Sequence, residues 1–167
     1  MWDGGNMAPM STPDLKSHIR GRIAEAKKMF LEDFEAMPED QLAGSPGGCA
    51  RTPYDLTFEC VYVNGRVAKR LRGEDPGPFQ QDGWMKAPAE FGQKESAARK
   101  LSESTEEVLA AWDALPAERV TEKIALPNGE TSPLELASLV ATHLTYHDAQ
   151  LNYVQTLHGD AEMHWKF

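Results

Sequence analysis

A chain of 167 residues with 26 acidic and 17 basic side chains, net charge -9, is long enough for one domain with a sizeable core. It is too acidic for a sequence-independent grip on nucleic acid. Its hydrophobic content of 41% is that of an ordinary soluble protein, and no apolar run approaches the roughly 18 residues that a membrane span needs. Cys49 and Cys60 make no disulfide framework, and Met1-Trp2-Asp3-Gly4-Gly5-Asn6 lacks the basic and apolar parts of a signal peptide, so the expected location is cytoplasmic. Residues 1–10, glycine-rich and aperiodic, read as a loose leader ahead of a single domain over 11–167.

Thr12-Pro13-Asp14 signals the first helix start: a hydroxyl cap, a proline where its missing N–H costs nothing, and a carboxylate favoured by the helix dipole. This helix turns Ile19, Ile23, Ala26, Phe30 and Phe34 inward and stops before Pro38, and Ala43–Gly48 follows as a loop. Thr52-Pro53 opens a second helix running to about Arg72, with Leu56, Val63, Val67 and Leu71 inward, Glu59 on the same stripe, and Gly73 as the stop. The aperiodic stretch Glu74–Pro88 is a long crossover of the kind that lines a site or serves as a lid.

A third helix is expected over Ala89–Leu115, with Phe91, Ala98, Leu101, Val108, Trp112 and Leu115 inward, ended by Pro116. Asn128-Gly129 marks a tight turn, and Ser132-Pro133 opens a fourth helix to about Val154. Four amphipathic helices with one long crossover predict an all-α four-helix bundle.

The fourth helix carries the chemistry. Leu136, Val140, His143, His147, Gln150 and Val154 form the stripe that a bundle helix buries, so two histidines one turn apart occupy positions that ordinarily hold leucine. A carboxylate on the inner stripe of the second helix is costly alone, and Glu59 needs a partner. With His143 and His147 it makes a two-histidine, one-carboxylate set for a divalent metal with coordination positions open. The competing role for Glu59 is a buried ion pair with Arg22, Arg66 or Lys69.

Tyr146 and Gln150, each three residues after a histidine, can meet a substrate or hold an imidazole in the required tautomer. Tyr62 and Asn64 lie within about a turn of Glu59, and Asp148 is set on the helix flank. Leu144 stands where the zincin motif has its glutamate base, which disfavours peptidase chemistry. Cys60 reads as a small buried hydrophobe and Cys49 as a thiol in a glycine loop. In the tail, Trp165 and Phe167 are expected to dock on the bundle, with a gate role for His164 as the alternative; His18 reads as exposed.

The segments Thr52–Glu59 and His143–Leu151 together resemble the DinB-like (DinB/YfiT-like) metalloenzyme family, a likeness that spans about Met10 to Tyr153. The resemblance implies a four-helix bundle whose metal is held by one histidine from the second helix and the H-x-x-x-H pair of the fourth. His143 and His147 match that pair, and Gln150 matches a glutamine common after it. The remaining histidine falls at Glu59, which makes the chain a carboxylate variant or a bundle with a weakened site.

The implied cofactor is a divalent metal, zinc foremost, with nickel, iron or manganese as alternatives. The implied partner is a small-molecule substrate, low-molecular-weight thiols among them, and family members are often homodimers. Two readings follow: a metal-dependent thiol transferase or hydrolase, and a bundle that binds a metal or small ligand without turnover.

Overall fold

The computed structural model describes residues 11–79, 83–126 and 129–166. The expected leader, Phe167, residues 80–82 of the crossover and the Asn128 half of the Asn128-Gly129 turn lie outside them. Four long helices form the body: α1 (Thr12–Ala36), α3 (Pro53–Leu71), α4 (Lys94–Ala114) and α5 (Pro133–Leu157); a short α2 (Glu39–Ala43) follows α1. The chain is an all-α bundle with a two-stranded hairpin, β1 (Ile124–Leu126) and β2 (Gly129–Thr131), in which Ile124 pairs with Thr131.

Hydroxyl caps start three of these helices, two of them where the sequence placed them. Thr52 and Ser132 accept from the backbone N–H groups of Asp55 and Glu135, and Asp55 reaches back to Thr52 to complete a capping box. At α1 the cap is Ser11, one residue earlier than expected, because its hydroxyl reaches the N–H of Asp14 while Thr12 is already helical. Gly73 and Gly159, at φ 80° and 87°, take the left-handed turns that end α3 and α5.

The third long helix, by contrast, begins later than its pattern suggested. Ala89–Phe91 is a single 3-10 turn held by the bond from the Phe91 N–H to the Pro88 carbonyl, and the α-helix starts at Lys94, past Gly92. Phe91 still enters the core, from that turn rather than from a helical stripe.

α1 packs chiefly on α5, and α3 chiefly on α4, while α3–α5 and α1–α4 contacts close the bundle. Phe30, Phe34, Leu101, Trp112, Leu144 and Leu151 are fully buried, each contributing about 1.5–3 kcal/mol by leaving water. Buried donors tie the helices together: the Asn64 amide donates to Ser104 and Thr105, linking α3 to α4, and the Trp112 indole donates to the Lys16 carbonyl. Among the described residues, no helix is long and apolar enough to cross a membrane.

Candidate metal centre

The site lies where the fourth-helix stripe faces the start of α3. His143 and His147 project from α5 with their Nε2 atoms 3.1 Å apart and their rings edge to face. From α3, Glu59 brings one carboxylate oxygen to 3.7 Å from His143 Nε2 and the other to 3.9 Å from His147 Nε2. The Cys60 thiol, next along α3, also turns inward, and Cys60, His143 and His147 offer ligand atoms all within 4.8 Å of one another.

The proton positions follow from the hydrogen bonds. The Gln150 side-chain carbonyl lies 2.7 Å from His147 Nδ1, so that nitrogen carries the proton and the lone pair of His147 sits on Nε2. His143 then donates from its own Nε2 to that lone pair, which leaves a lone pair on His143 Nδ1, a buried atom with no partner. Both rings are neutral at physiological pH. Burial pushes His143 down to about 4, and burial with the neighbouring His143 pushes His147 down to about 3.

Two neutral imidazoles whose Nε2 atoms lie 3.1 Å apart, a carboxylate and a thiol are a donor set that fits a divalent cation of borderline softness. Gln150 already supplies the outer hydrogen bond that such a ligand needs, and its amide donates in turn to the Tyr146 hydroxyl at 3.3 Å. Burial raises the Cys60 thiol far above its ordinary range, so without a cation it stays protonated and inert.

Glu59 has a charged partner, and it is none of the three cations the sequence offered. Arg51, just ahead of the Thr52 cap, donates to it through Nη1. Arg22 pairs with Glu25, Arg66 bonds the carbonyls of Pro76, Gly77 and Pro78, and Lys69 is exposed. Arg51 lies outside α3, so no helical spacing pointed to the pair.

The guanidinium also lies 4.7 Å from the Trp84 ring, which the crossover brings over the site. Sequence reasoning missed Trp84, because only the fold sets it there: the Ala87 N–H and Lys86 ammonium both bond Asp55, at 2.7 and 3.4 Å.

Other expected residues sit elsewhere. Tyr62 meets Phe58 at a tilt and Phe79 edge to face beside the crossover, and Asn64 faces α4. Asp148 lies on that flank, away from the histidine pair, and is buried there because α1 covers that side of α5; its pKa is raised by burial and by a hydrogen bond to Asp33. Cys49 is exposed, His18 is exposed, and His164 bonds Asp160 at 2.9 Å, away from the histidine pair.

A sequence profile of the DinB superfamily matches residues 22–151, a span that holds both histidines, Glu59 and Gln150. This chain belongs to the DinB superfamily. A conserved protein from Enterococcus faecalis, known from its crystal structure, has the same fold as this DinB chain. The two share 14% sequence identity and a TM-score of 0.68 over 89% of this chain and 98% of that one. No curated protein matches the sequence.

Proposed function

We propose that this DinB-superfamily protein is a metal-dependent enzyme in which His143, His147 and Glu59 hold a divalent ion, zinc foremost, beside a pocket for a small molecule. Two neutral imidazoles with their Nε2 atoms 3.1 Å apart carry the reading, because neutral imidazole is the form that ligates. When bound, such an ion supplies Lewis acidity that brings the ionisation of a thiol or water towards neutral pH.

The protein's own side chains do the rest. Gln150 keeps the His147 proton on Nδ1, and Glu59 adds the negative charge that two imidazoles lack. Tyr146, 58% exposed beside His147, presents its hydroxyl to whatever enters. Reactions that fit are transfer of a small thiol and hydrolysis.

A second reading concerns the third donor: Cys60 lies within ligand distance of the histidines, while Arg51 already engages Glu59. Substituting cobalt separates the two, since a thiolate ligand gives a near-ultraviolet charge-transfer band and a carboxylate does not.

The main test measures metal in protein purified without chelators, for the natural sequence, His143→Ala and His147→Ala. Metal is expected in the first and lost in both variants; equal content in all three would sink the proposal. Thiol-transfer or hydrolytic turnover that disappears in Glu59→Ala would establish the enzyme over a binding protein.

A further inference from the structure

Beside the histidine pair opens a cavity of about 430 Å³, within the range of pockets that enclose small organic molecules. Its wall is mostly apolar and aromatic, including Leu56, Trp84, Tyr146, Tyr153 and Leu157, and among the described residues Arg51 is the one charged side chain that lines it. Trp84, Tyr146, Tyr153 and Leu157 are each more than half exposed, although the crossover and α5 hold them around this opening. Exposed aromatic surface gathered around a concave site marks a place where an apolar body is received.

Arg51 is oriented for a second partner. Its side chain is only 8% exposed, so the charge is poorly hydrated. Among the described residues, its one hydrogen bond is the Nη1 donation to Glu59, which leaves further N–H donors of the fork without a protein acceptor. The Trp84 ring, 4.7 Å away, packs on the group, and the capping box fixes the backbone one residue later.

We infer that this pocket takes a small aromatic or apolar carboxylate, its anionic end on the uncommitted edge of Arg51 and its body against Trp84, Tyr146 and Tyr153. A single planar cation, already shared with Glu59, suits the two oxygens and single charge of a carboxylate better than a phosphate dianion. Glu59 links that cation to the imidazoles, with one oxygen on Arg51 and the other 3.7 Å from His143 Nε2. A carboxylate seated on Arg51 therefore lies next to the ion of the proposed function. The inference names the substrate class for that reading, although the anion site itself is made by Arg51 and the pocket wall.

The test uses 1-naphthylacetate, its uncharged amide 1-naphthylacetamide, and acetate, titrated calorimetrically into metal-free and zinc-loaded protein. In metal-free protein the acid is expected to bind roughly tenfold or more tighter than the amide, the usual weight of a charge-assisted hydrogen bond, and acetate far more weakly than either.

Arg51→Gln abolishes the preference for acid over amide while leaving amide binding in place, and Arg51→Lys retains part of it. Circular dichroism checks that each variant is folded. Trp84→Leu weakens acid and amide by the same factor. Zinc and acid each raise the other's affinity, because binding is reciprocal.

Equal binding of acid and amide to the natural sequence, or a preference that survives Arg51→Gln, overturns the inference. Arg51-dependent acid binding in a protein that takes up no zinc overturns the metal reading alone. Zinc uptake without acid preference overturns this inference alone.

Discussion

His147 and Asp148 are neighbours in sequence and each is 1% exposed, yet they head two polar clusters of opposite character on two sides of α5. On the α3 side, His147 meets His143, Glu59 and Cys60, ligand-type groups gathered in one place, and His143 Nδ1 has no partner. On the α1 side, Asp148 meets Asp33, which also accepts from Asn152 and the Trp165 indole, while Gln155 donates to its backbone carbonyl. The second cluster ties α1, α5 and the tail together, and a proton on Asp148 supplies the donor that two buried acids need. Buried polarity is therefore no sign of a site by itself. Bonds that run between α1, α5 and the tail hold the fold, whereas imidazole, thiol and carboxylate atoms gathered around one point offer a donor set that a cation can take up.

Neighbouring substitutions test the contrast most severely. His147→Ala should lower bound zinc by about a hundredfold or more, as expected when one of three ligands is lost, while Asp148→Asn leaves zinc content unchanged. Comparable losses in both, measured by elemental analysis, would merge the two clusters into one.

Asp33→Ala should behave in the opposite way. Leaving Asn152, Trp165 and Asp148 without their acceptor should cost about 3 kcal/mol in a denaturant titration, with zinc stoichiometry intact in the folded fraction. Gln150→Leu, which frees the His147 tautomer, should weaken zinc roughly tenfold, about 1.4 kcal/mol, with little change in melting temperature.

The smallest effect is one of pH, and it has opposite signs in the two clusters. His143 and His147 have folded values of about 4 and about 3 against an ordinary 6.5, so metal-free protein binds fewer protons than the unfolded chain and loses stability as pH falls below 6.5. Asp148 is raised from 3.8 to about 8, so its contribution is fully present below 3.8 and is lost as pH rises through about 8. Asp148→Asn should therefore melt higher than the natural protein at pH 8, with the gap closing towards pH 4. A gap independent of pH would mean that Asp148 is not the titrating group.

The helices were legible because local chemistry starts and stops them: Thr52 with Asp55, Ser132 with Glu135, and the left-handed Gly73 each act within a few residues. The stripe of α5 was legible for the same reason, since a single helix fixes which side chains share a face. Arg51 on Glu59 depends on a long side chain reaching forward along α3 from ahead of its cap, and periodicity does not register that. Trp84 depends on Asp55 fastening the crossover 32 residues away. Asp148 lies a ring's turn from His147, and only the packing of α1 on α5 decides that this flank is buried.

Arg66 adds a consequence of another kind. Its guanidinium bonds three successive carbonyls, those of Pro76, Gly77 and Pro78, so one side chain on α3 does for the start of the crossover what a neighbouring strand does within a sheet. Protection of this stretch then hangs on a single anchor and not on a cooperative ladder. It belongs to the part of the molecule that opens locally before the bundle melts, and it is where a protease should cut first once Arg66 is shortened.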